Sequence, residues 1–252
     1  MEPAGQVVQP VITLEEFMAR HGIGRTLDNI QLLRAMPAAV IATIAARCTW
    51  KLYEKHQTIL AQDDSSNGVL LVRHGLVRVV KYSESGREVS YADIGAGGHF
   101  GEIAAIDGGP RSAFVVAQLD TVVAMLAQHD FLQLVRENPD FAHSVMCSLT
   151  AIIRGSNLKV LDLSTLKAPD RIIRELVRLA RNLGEGEAID RVIIRPAPTA
   201  TEIASRAATT RETVARTFAD LVRRGLIRRI KTDLELISVP DLVELLEVTE
   251  GV

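Results

Sequence analysis

The chain has 252 residues, enough for two ordinary domains, and its 47% hydrophobic and 24% charged content excludes disordered, collagenous and low-complexity classes. Only 4% of residues are aromatic, so the expected core is aliphatic. The formal net charge of −2 argues at first against a polyanionic partner, but residues 195–231 hold nine basic residues against three acids, a local net of +6. Such a block fits nucleic acid, although a solvated charged face reads the same way.

Cys48 and Cys147 lie far apart with no CxxC, so neither a disulfide framework nor a cysteine metal site is expected, and a reducing compartment fits. The longest uncharged apolar stretch, residues 35–46, falls well short of the roughly 20 residues that span a bilayer. Acids and prolines stand where a signal peptide would have a basic start and an apolar run. A cytoplasmic protein with no membrane partner is expected.

In chain order, four regions are expected. Residues 1–29 form an N-terminal helical extension, in which Thr13-Leu14-Glu15-Glu16 predicts a capping box at a helix start. Residues 30–137 begin with a helix over 37–48, whose face is Val40, Ile41, Ile44 and Ala45, and then change period. Short β-rich runs at 69–72, 76–80, 114–116 and 122–126 are separated by turn signals at Ser85-Gly86, 95–98 and 108–110. That pattern predicts a barrel, roll or sandwich.

Residues 138–168 open on Asn138-Pro139-Asp140 and allow one long helix before Pro169. Phe141, Val145, Leu149, Ile152, Ser156, Val160 and Leu163 recur along it as one narrow seam, which suits a paired helix, though such a helix can also lie on its own domain. Residues 169–252 follow, with a helix over 172–183 facing inward through Ile173, Leu176, Val177 and Ala180. A Gly/Glu loop, a strand at 192–194, helices over 201–207 and 210–224, and a β-rich end at 226–239 complete the chain.

The segment 97–113, GGHFGEIAAIDGGPRSA, carries most of the chemistry. Its glycines allow close backbone approach, and a helical turn at 103–106 would aim free N–H groups at an anion. Arg111 can add a planar two-pronged donor for phosphate oxygens, while Glu102 is an acceptor suited to a ribose hydroxyl. FGEIA, with nine residues from Glu102 to an Arg followed by a small residue and Ala, resembles the phosphate-binding cassette of cyclic-nucleotide-binding domains. Gly75 after its apolar run fits the same β-roll, over about residues 52–126.

That resemblance implies a site made of Gly101, Glu102, Ile103, Ala104, Arg111 and Ser112. In the cyclic-AMP-responsive bacterial regulators two hydroxyls on the long helix touch the purine, one from each subunit. Laying that helix over this one puts the pair at Ser156 and Asn157, and Ser156 is also the polar member of the seam. Asn157 departs from the usual hydroxyl, and its amide can serve adenine or guanine. Cyclic AMP is the implied ligand, with cyclic GMP as competitor because a hydroxyl such as that of Ser112 can read the guanine amino group.

The stretch 201–216 has helix-turn-helix logic. Ile203, Ala204, Ala207, Val214, Phe218 and Leu221 can form its buried face, and Thr210 can cap a second helix with Arg211 and Glu212 in the first turn. An arginine there can take guanine O6 and N7, and Glu212 can accept from cytosine N4. TTRETVAR resembles the recognition helix of the Crp/Fnr regulators, and the resemblance then covers about residues 52–239. It implies DNA contacts from Thr199, Thr201, Thr210, Arg211, Glu212, Thr213 and Arg216, with Arg228 and Lys231 reaching phosphates from the wing. Ala208 stands where that turn usually has glycine, at a cost of about 1 kcal/mol if φ is positive.

The whole reading is an α+β chain: an N-terminal cyclic-nucleotide-binding β-roll (a double-stranded β-helix or jelly roll), a long central dimerisation helix, and a C-terminal winged helix-turn-helix. It implies a homodimeric regulator, not an enzyme, that binds a palindromic operator under control of cyclic AMP and works with RNA polymerase. The alternatives are another effector or none, or a nucleotide-binding module acting on a protein partner. An iron–sulfur site is disfavoured with two distant cysteines. Haem on His74 or His99, or an oxygenase using His56, His74, His99 and Glu102 without a close HxH pair, are the remaining rivals.

Overall fold

The structure is a computed structural model that describes residues 12–84, 86, 88–183 and 190–250. The chain divides into two compact units, Met1–Lys81 with Ala92–Ser148, and Tyr82–Tyr91 with Leu149–Val252. Among the described residues no helix is long and apolar enough to cross a membrane.

The first unit opens with helix α1 (Leu14–Arg20). The Thr13 hydroxyl accepts from the Glu16 amide and the Glu16 carboxylate accepts from the Thr13 amide, which is the expected capping box, worth about 1 kcal/mol. Phe17 and Met18 on its lower face pack against Val122 of the roll. A 3-10 turn at Gln31–Leu33 leads to α2 (Ala38–Arg47), which begins behind Pro37. Of its expected apolar face, Ile44 and Ala45 are buried while Val40 and Ile41 are half-buried.

Eight strands and one short helix then build the roll: β1 (Thr49–Tyr53), β2 (Thr58–Leu60), β3 (Val69–His74), β4 (Leu76–Tyr82), β5 (Glu88–Gly95), β6 (His99–Phe100), α3 (Glu102–Asp107), β7 (Phe114–Ala117) and β8 (Thr121–Leu126). They pair into two four-stranded sheets, ordered β1-β8-β3-β6 and β2-β7-β4-β5. Tyr53, Leu70, Val72, Phe100 and Val123 of the first sheet meet Leu60, Val77, Val115 and Ala117 of the second in one aliphatic core. Val69 to Val72 and Thr121 to Ala124 are buried without alternation. The α1 cover on Val122 accounts for part of that, because it closes the outer face of the sheet.

Gly75 joins β3 to β4 at φ 96°, and a Cβ there would lie 2.4 Å from the Thr121 hydroxyl, so only glycine fits. Of the expected turn at Ser85-Gly86, Ser85 lies outside the described residues, as does the loop at 184–189. Helix α4 (Gln128–Glu137), which the sequence reading did not anticipate, sets Phe131 edge-on to Phe141 with ring centroids 5.7 Å apart.

Helix α5 (Pro139–Thr165) is the expected long helix, but its seam is not continuous. Phe141 and Val145 turn into the first unit and are 1% and 4% exposed, whereas Ile152, Ile153, Val160 and Leu163 stand 44–63% exposed. The seven-residue seam is therefore two stripes. The first belongs to the roll, and the second is bare.

The second unit contains α6 (Ala168–Leu183), β9 (Val192–Ile194), α7 (Ala200–Arg206), α8 (Arg211–Arg223), β10 (Ile227–Ile230), β11 (Asp233–Leu236) and α9 (Val239–Glu250). Its three strands order as β10-β11-β9, all antiparallel. Ile173, Leu176, Val177 and Ala180 are buried as expected, with Ile172 and Leu176 fully so. They share a core with Ile203, Val214, Leu221, Leu234, Leu236 and Leu242. The closing helix α9 was not anticipated, although Ser238 caps it by accepting from the Asp241 amide and Pro240 sits in its first turn.

Candidate functional site

The cassette forms at the join between β6 and α3. Gly101 is the residue before the helix at φ 87°, a left-handed conformation that turns the chain from strand to helix. Glu102, Ile103 and Ala104 thus occupy the first turn of α3, where amides have no carbonyl of their own helix to donate to. Glu102 is 4% exposed and Ile103 39%.

Arg111 returns to the same place. Its guanidinium donates from Nη1 to the Gly101 carbonyl at 2.8 Å, from Nη2 to the Gly68 carbonyl at 2.7 Å, and from Nε to the Ser66 hydroxyl at 3.1 Å. The side chain is 2% exposed, and three of its five N–H groups are spent, one from each nitrogen. Burial lowers its pKa, opposed by the carboxylates of Asp64 and Glu102, and it stays cationic. Arg111 and Glu102 share the site without pairing to each other, so opposite charges remain side by side at the foot of α3. Ser112 follows, exposed, in the bend before β7.

His99, two residues before Gly101, places Nε2 3.2 Å from the Ser148 hydroxyl of α5. Burial lowers its pKa, against the opposing effect of Glu102, so the ring is held neutral. His74 clusters with Phe17 and His21 instead, at ring-centroid distances of 5.8 and 5.6 Å. Among the described residues no group of three or more His, Cys, Asp or Glu could hold a metal ion. Ser156 and Asn157 lie exposed on the bare stretch of α5, in the second unit.

The helix-turn-helix is α7, a tight turn, and α8. Thr199 and Glu202 make a second capping box at the start of α7, and Thr201 is exposed in its first turn. The turn closes with the Thr209 amide on the Ala204 carbonyl at 2.9 Å, and Ala208 sits at φ 49°. Alanine thus takes the left-handed conformation that glycine would take more cheaply. Thr210 caps α8 by accepting from the Thr213 amide, leaving Arg211 and Glu212 exposed in the first turn and Arg216 exposed beyond them. Glu212 is held below the usual carboxylate range, first by the hydrogen bond from its own amide and then by Thr210. It is therefore an acceptor at neutral pH. The predicted buried face is present, with Phe218 half-buried.

The wing is the β10–β11 hairpin, with Lys231 exposed at its tip at φ 53°. Arg228 stands directly opposite Glu235 and donates Nε to it at 2.7 Å, while Arg191 bonds the other carboxylate oxygen. Glu235 is 1% exposed between these two arginines. The charge of Arg228 is thus shared with the sheet, which the sequence reading did not foresee. Arg195 is tied to Asp233, and Arg223 and Arg224 to Asp220, so among the described residues the cations of 195–231 in no ion pair are Arg211, Arg216, Arg229 and Lys231.

Residues 50–138 match the cyclic nucleotide-binding domain, and residues 170–248 match the Crp-like helix-turn-helix domain. The cyclic AMP receptor protein of Thermus thermophilus is 34% identical over 178 residues, which is 71% of this chain and 79% of that protein. This chain belongs to the Crp/Fnr family. A Mycobacterium tuberculosis relative in the family, a CRP-like cAMP-activated global transcriptional regulator, is 24% identical over 85% of this chain and 92% of its own length. The fold is shared with a CooA mutant from Carboxydothermus hydrogenoformans at a TM-score of 0.72, with 23% identity, covering 85% of this chain and 94% of that one.

Four residues that contribute to this Crp/Fnr architecture carry little mark of it in sequence. Ser66 and Gly68 hold Arg111, and their only signal was a polar, glycine-containing loop at residues 63–68. Glu235 holds the wing, and its partner could be found only from the hairpin register. Arg171 binds the carbonyls of Ala207 and Ala208 in the helix-turn-helix turn, 36 and 37 residues away in sequence.

Proposed function

We propose that this Crp/Fnr protein is a transcription regulator that binds cyclic AMP in its β-roll and, as a homodimer, a palindromic operator through α8. The observation that carries the reading is Arg111, a buried cation fixed by three protein acceptors beside the left-handed Gly101 and the open first turn of α3. A buried guanidinium with two N–H groups to spare, beside a row of backbone amides, suits a phosphodiester anion. Glu102 takes the ribose hydroxyl, and Ser156 and Asn157 supply polar contacts for the base. That two relatives are named for cyclic AMP supports the choice of ligand. Cyclic GMP is the second reading, favoured by the exposed Ser112 hydroxyl after Arg111.

The bare apolar stripe of α5 supports the dimer. Ile152, Ile153, Val160 and Leu163 are already partly covered, so full burial would gain each roughly 1–2 kcal/mol, and a second copy of the same helix offers the matching surface. Two copies present two α8 helices to half-sites about 34 Å apart. Contacts then divide by chemistry: Arg211 and Glu212 read base edges, Thr199, Thr201, Thr210, Thr213 and Arg216 hold the backbone and orient the helix, and Arg228 and Lys231 meet phosphates. Cyclic AMP shifts the population toward the DNA-binding arrangement by its differential affinity for the two states. The protein acts in the cytoplasm on RNA polymerase at its promoters, and it does no chemistry on its ligand.

Parallel calorimetric titrations of cyclic AMP and cyclic GMP into the intact protein test the ligand. Tighter binding of cyclic AMP supports the first reading, and tighter binding of cyclic GMP the second. No heat from either overturns both.

A further inference from the structure

The end of α5 and the helix-turn-helix turn are joined by one side chain. Arg171 lies in the first turns of α6, half-buried, and each of its three guanidinium nitrogens donates to a different backbone carbonyl. Nη1 reaches Leu166, the residue just past α5, at 2.8 Å. Nε reaches Ala207 at 2.9 Å and Nη2 reaches Ala208 at 3.2 Å. Those last two carbonyls stand at the exit of α7, where a helix leaves acceptors without intrahelical partners. A planar guanidinium fixes direction as well as distance, which a flexible ammonium does not.

Ala208 gives this contact its significance. Its φ of 49° is a strained conformation for a residue with a Cβ, and it sets the angle at which the chain passes from α7 into α8. Two charged hydrogen bonds to the carbonyls on either side of its φ and ψ bonds hold that conformation in place. A second tie runs parallel. Asp162 of α5 pairs with Arg174 and Arg178, Arg178 pairs with Glu175, and Glu175 pairs with Arg206 of α7. That chain of ion pairs fixes α7 against α6, while Arg171 donates to the carbonyls of the turn itself.

We infer that Arg171 is the positioning residue that sets the presentation of α8 to DNA and ties it to the C-terminal end of α5. The inference rests on the reading of α8 as the DNA-contacting helix. A displacement of Leu166 with α5 moves the guanidinium, and the guanidinium carries the Ala207–Ala208 carbonyls with it. Arg171 itself touches no base.

The test uses the full chain with cyclic AMP present, and a palindromic duplex that the wild type selects from random sequence. Arg171→Lys keeps the charge and loses the fork, Arg171→Ala loses both, and each is made with and without Ala208→Gly. Two readouts are taken: affinity for the selected duplex against a scrambled one, and amide hydrogen exchange over residues 207–213. Arg171→Lys is expected to weaken selected-duplex binding by about tenfold or more, to leave scrambled-duplex binding within about twofold, and to speed exchange at 207–213. Ala208→Gly is expected to restore part of the lost discrimination, because it removes the strain that Arg171 restrains. Unchanged discrimination and unchanged exchange in Arg171→Lys overturn the inference, as does an equal loss on both duplexes. If the wild type selects no duplex, the DNA-binding reading fails, and exchange at 207–213 alone then decides the role of Arg171.

Discussion

Arg111 Nη1 lies 2.8 Å from the carbonyl of Gly101, and a Cβ added to Gly101 would come within 2.5 Å of that same nitrogen. The missing side chain of one residue is the space occupied by the cation of the other. Gly101→Ala must therefore both enter the left-handed region, at about 1 kcal/mol, and displace the guanidinium. The expected result is a folded roll whose cyclic AMP affinity falls at least about tenfold by calorimetry. Arg111→Ala should abolish binding, and Arg111→Lys should not rescue it, because one ammonium cannot serve Ser66, Gly68, Gly101 and a phosphate together. Wild-type affinity in Gly101→Ala would contradict the assignment.

Arg211 stands exposed in the first turn of α8, outside every ion pair of the described residues. Arg211→Ala is expected to cost about 1–3 kcal/mol on the selected duplex and to relax the preference at one guanine. Competition binding with single-base variants of the duplex measures it. Equal weakening on all sequences would reduce Arg211 to a phosphate contact.

His99 ties pH to the stability of the roll. Its folded pKa lies below the ordinary value of about 6.5, chiefly through burial, so the unfolded chain takes the proton first as pH falls. The stabilisation is complete above about pH 6.5 and is lost progressively below it. His74 is shifted the same way by burial, with His21 and Arg73 adding to the effect. His99→Gln should flatten, without removing, the fall in urea midpoint between pH 7.5 and 5.5. An unchanged slope would show that His99 titrates as freely in the folded protein as in the unfolded one.

The two thiols should differ in reactivity. Burial, with help from Asp130, pushes the Cys48 thiol up to about 12, whereas Cys147 is exposed on α5. Iodoacetamide at pH 8 should label Cys147 first, as read by peptide mass spectrometry. Faster labelling of Cys48 would contradict the burial of α2 against the roll.

The cassette and the recognition helix were legible because each is a local motif: Gly101, Glu102 and Arg111 sit within eleven residues, and Thr210 to Arg216 within two helical turns. The turn at Ala208 was legible as a strained position, and its φ of 49° carries that through. What escaped was set by tertiary register. Arg228 reads in sequence as a free phosphate contact, and only the strand pairing brings Glu235 opposite it. The α5 seam reads as one stripe because periodicity cannot tell which side of a helix faces its own domain. Phe131 of the unanticipated α4 decides that for Phe141. Arg171 is invisible for the same reason, since its acceptors are backbone carbonyls, which carry no mark in sequence.

Occupancy of the β-roll by cyclic AMP is proposed to control DNA binding by α8. Affinity for the selected palindromic duplex, measured with and without saturating cyclic AMP at one fixed salt concentration, tests it most directly. Cyclic AMP is expected to tighten binding by about tenfold or more, and Arg111→Ala to bind as the wild type does without ligand. Equal DNA affinity with and without cyclic AMP in the wild-type protein would contradict it.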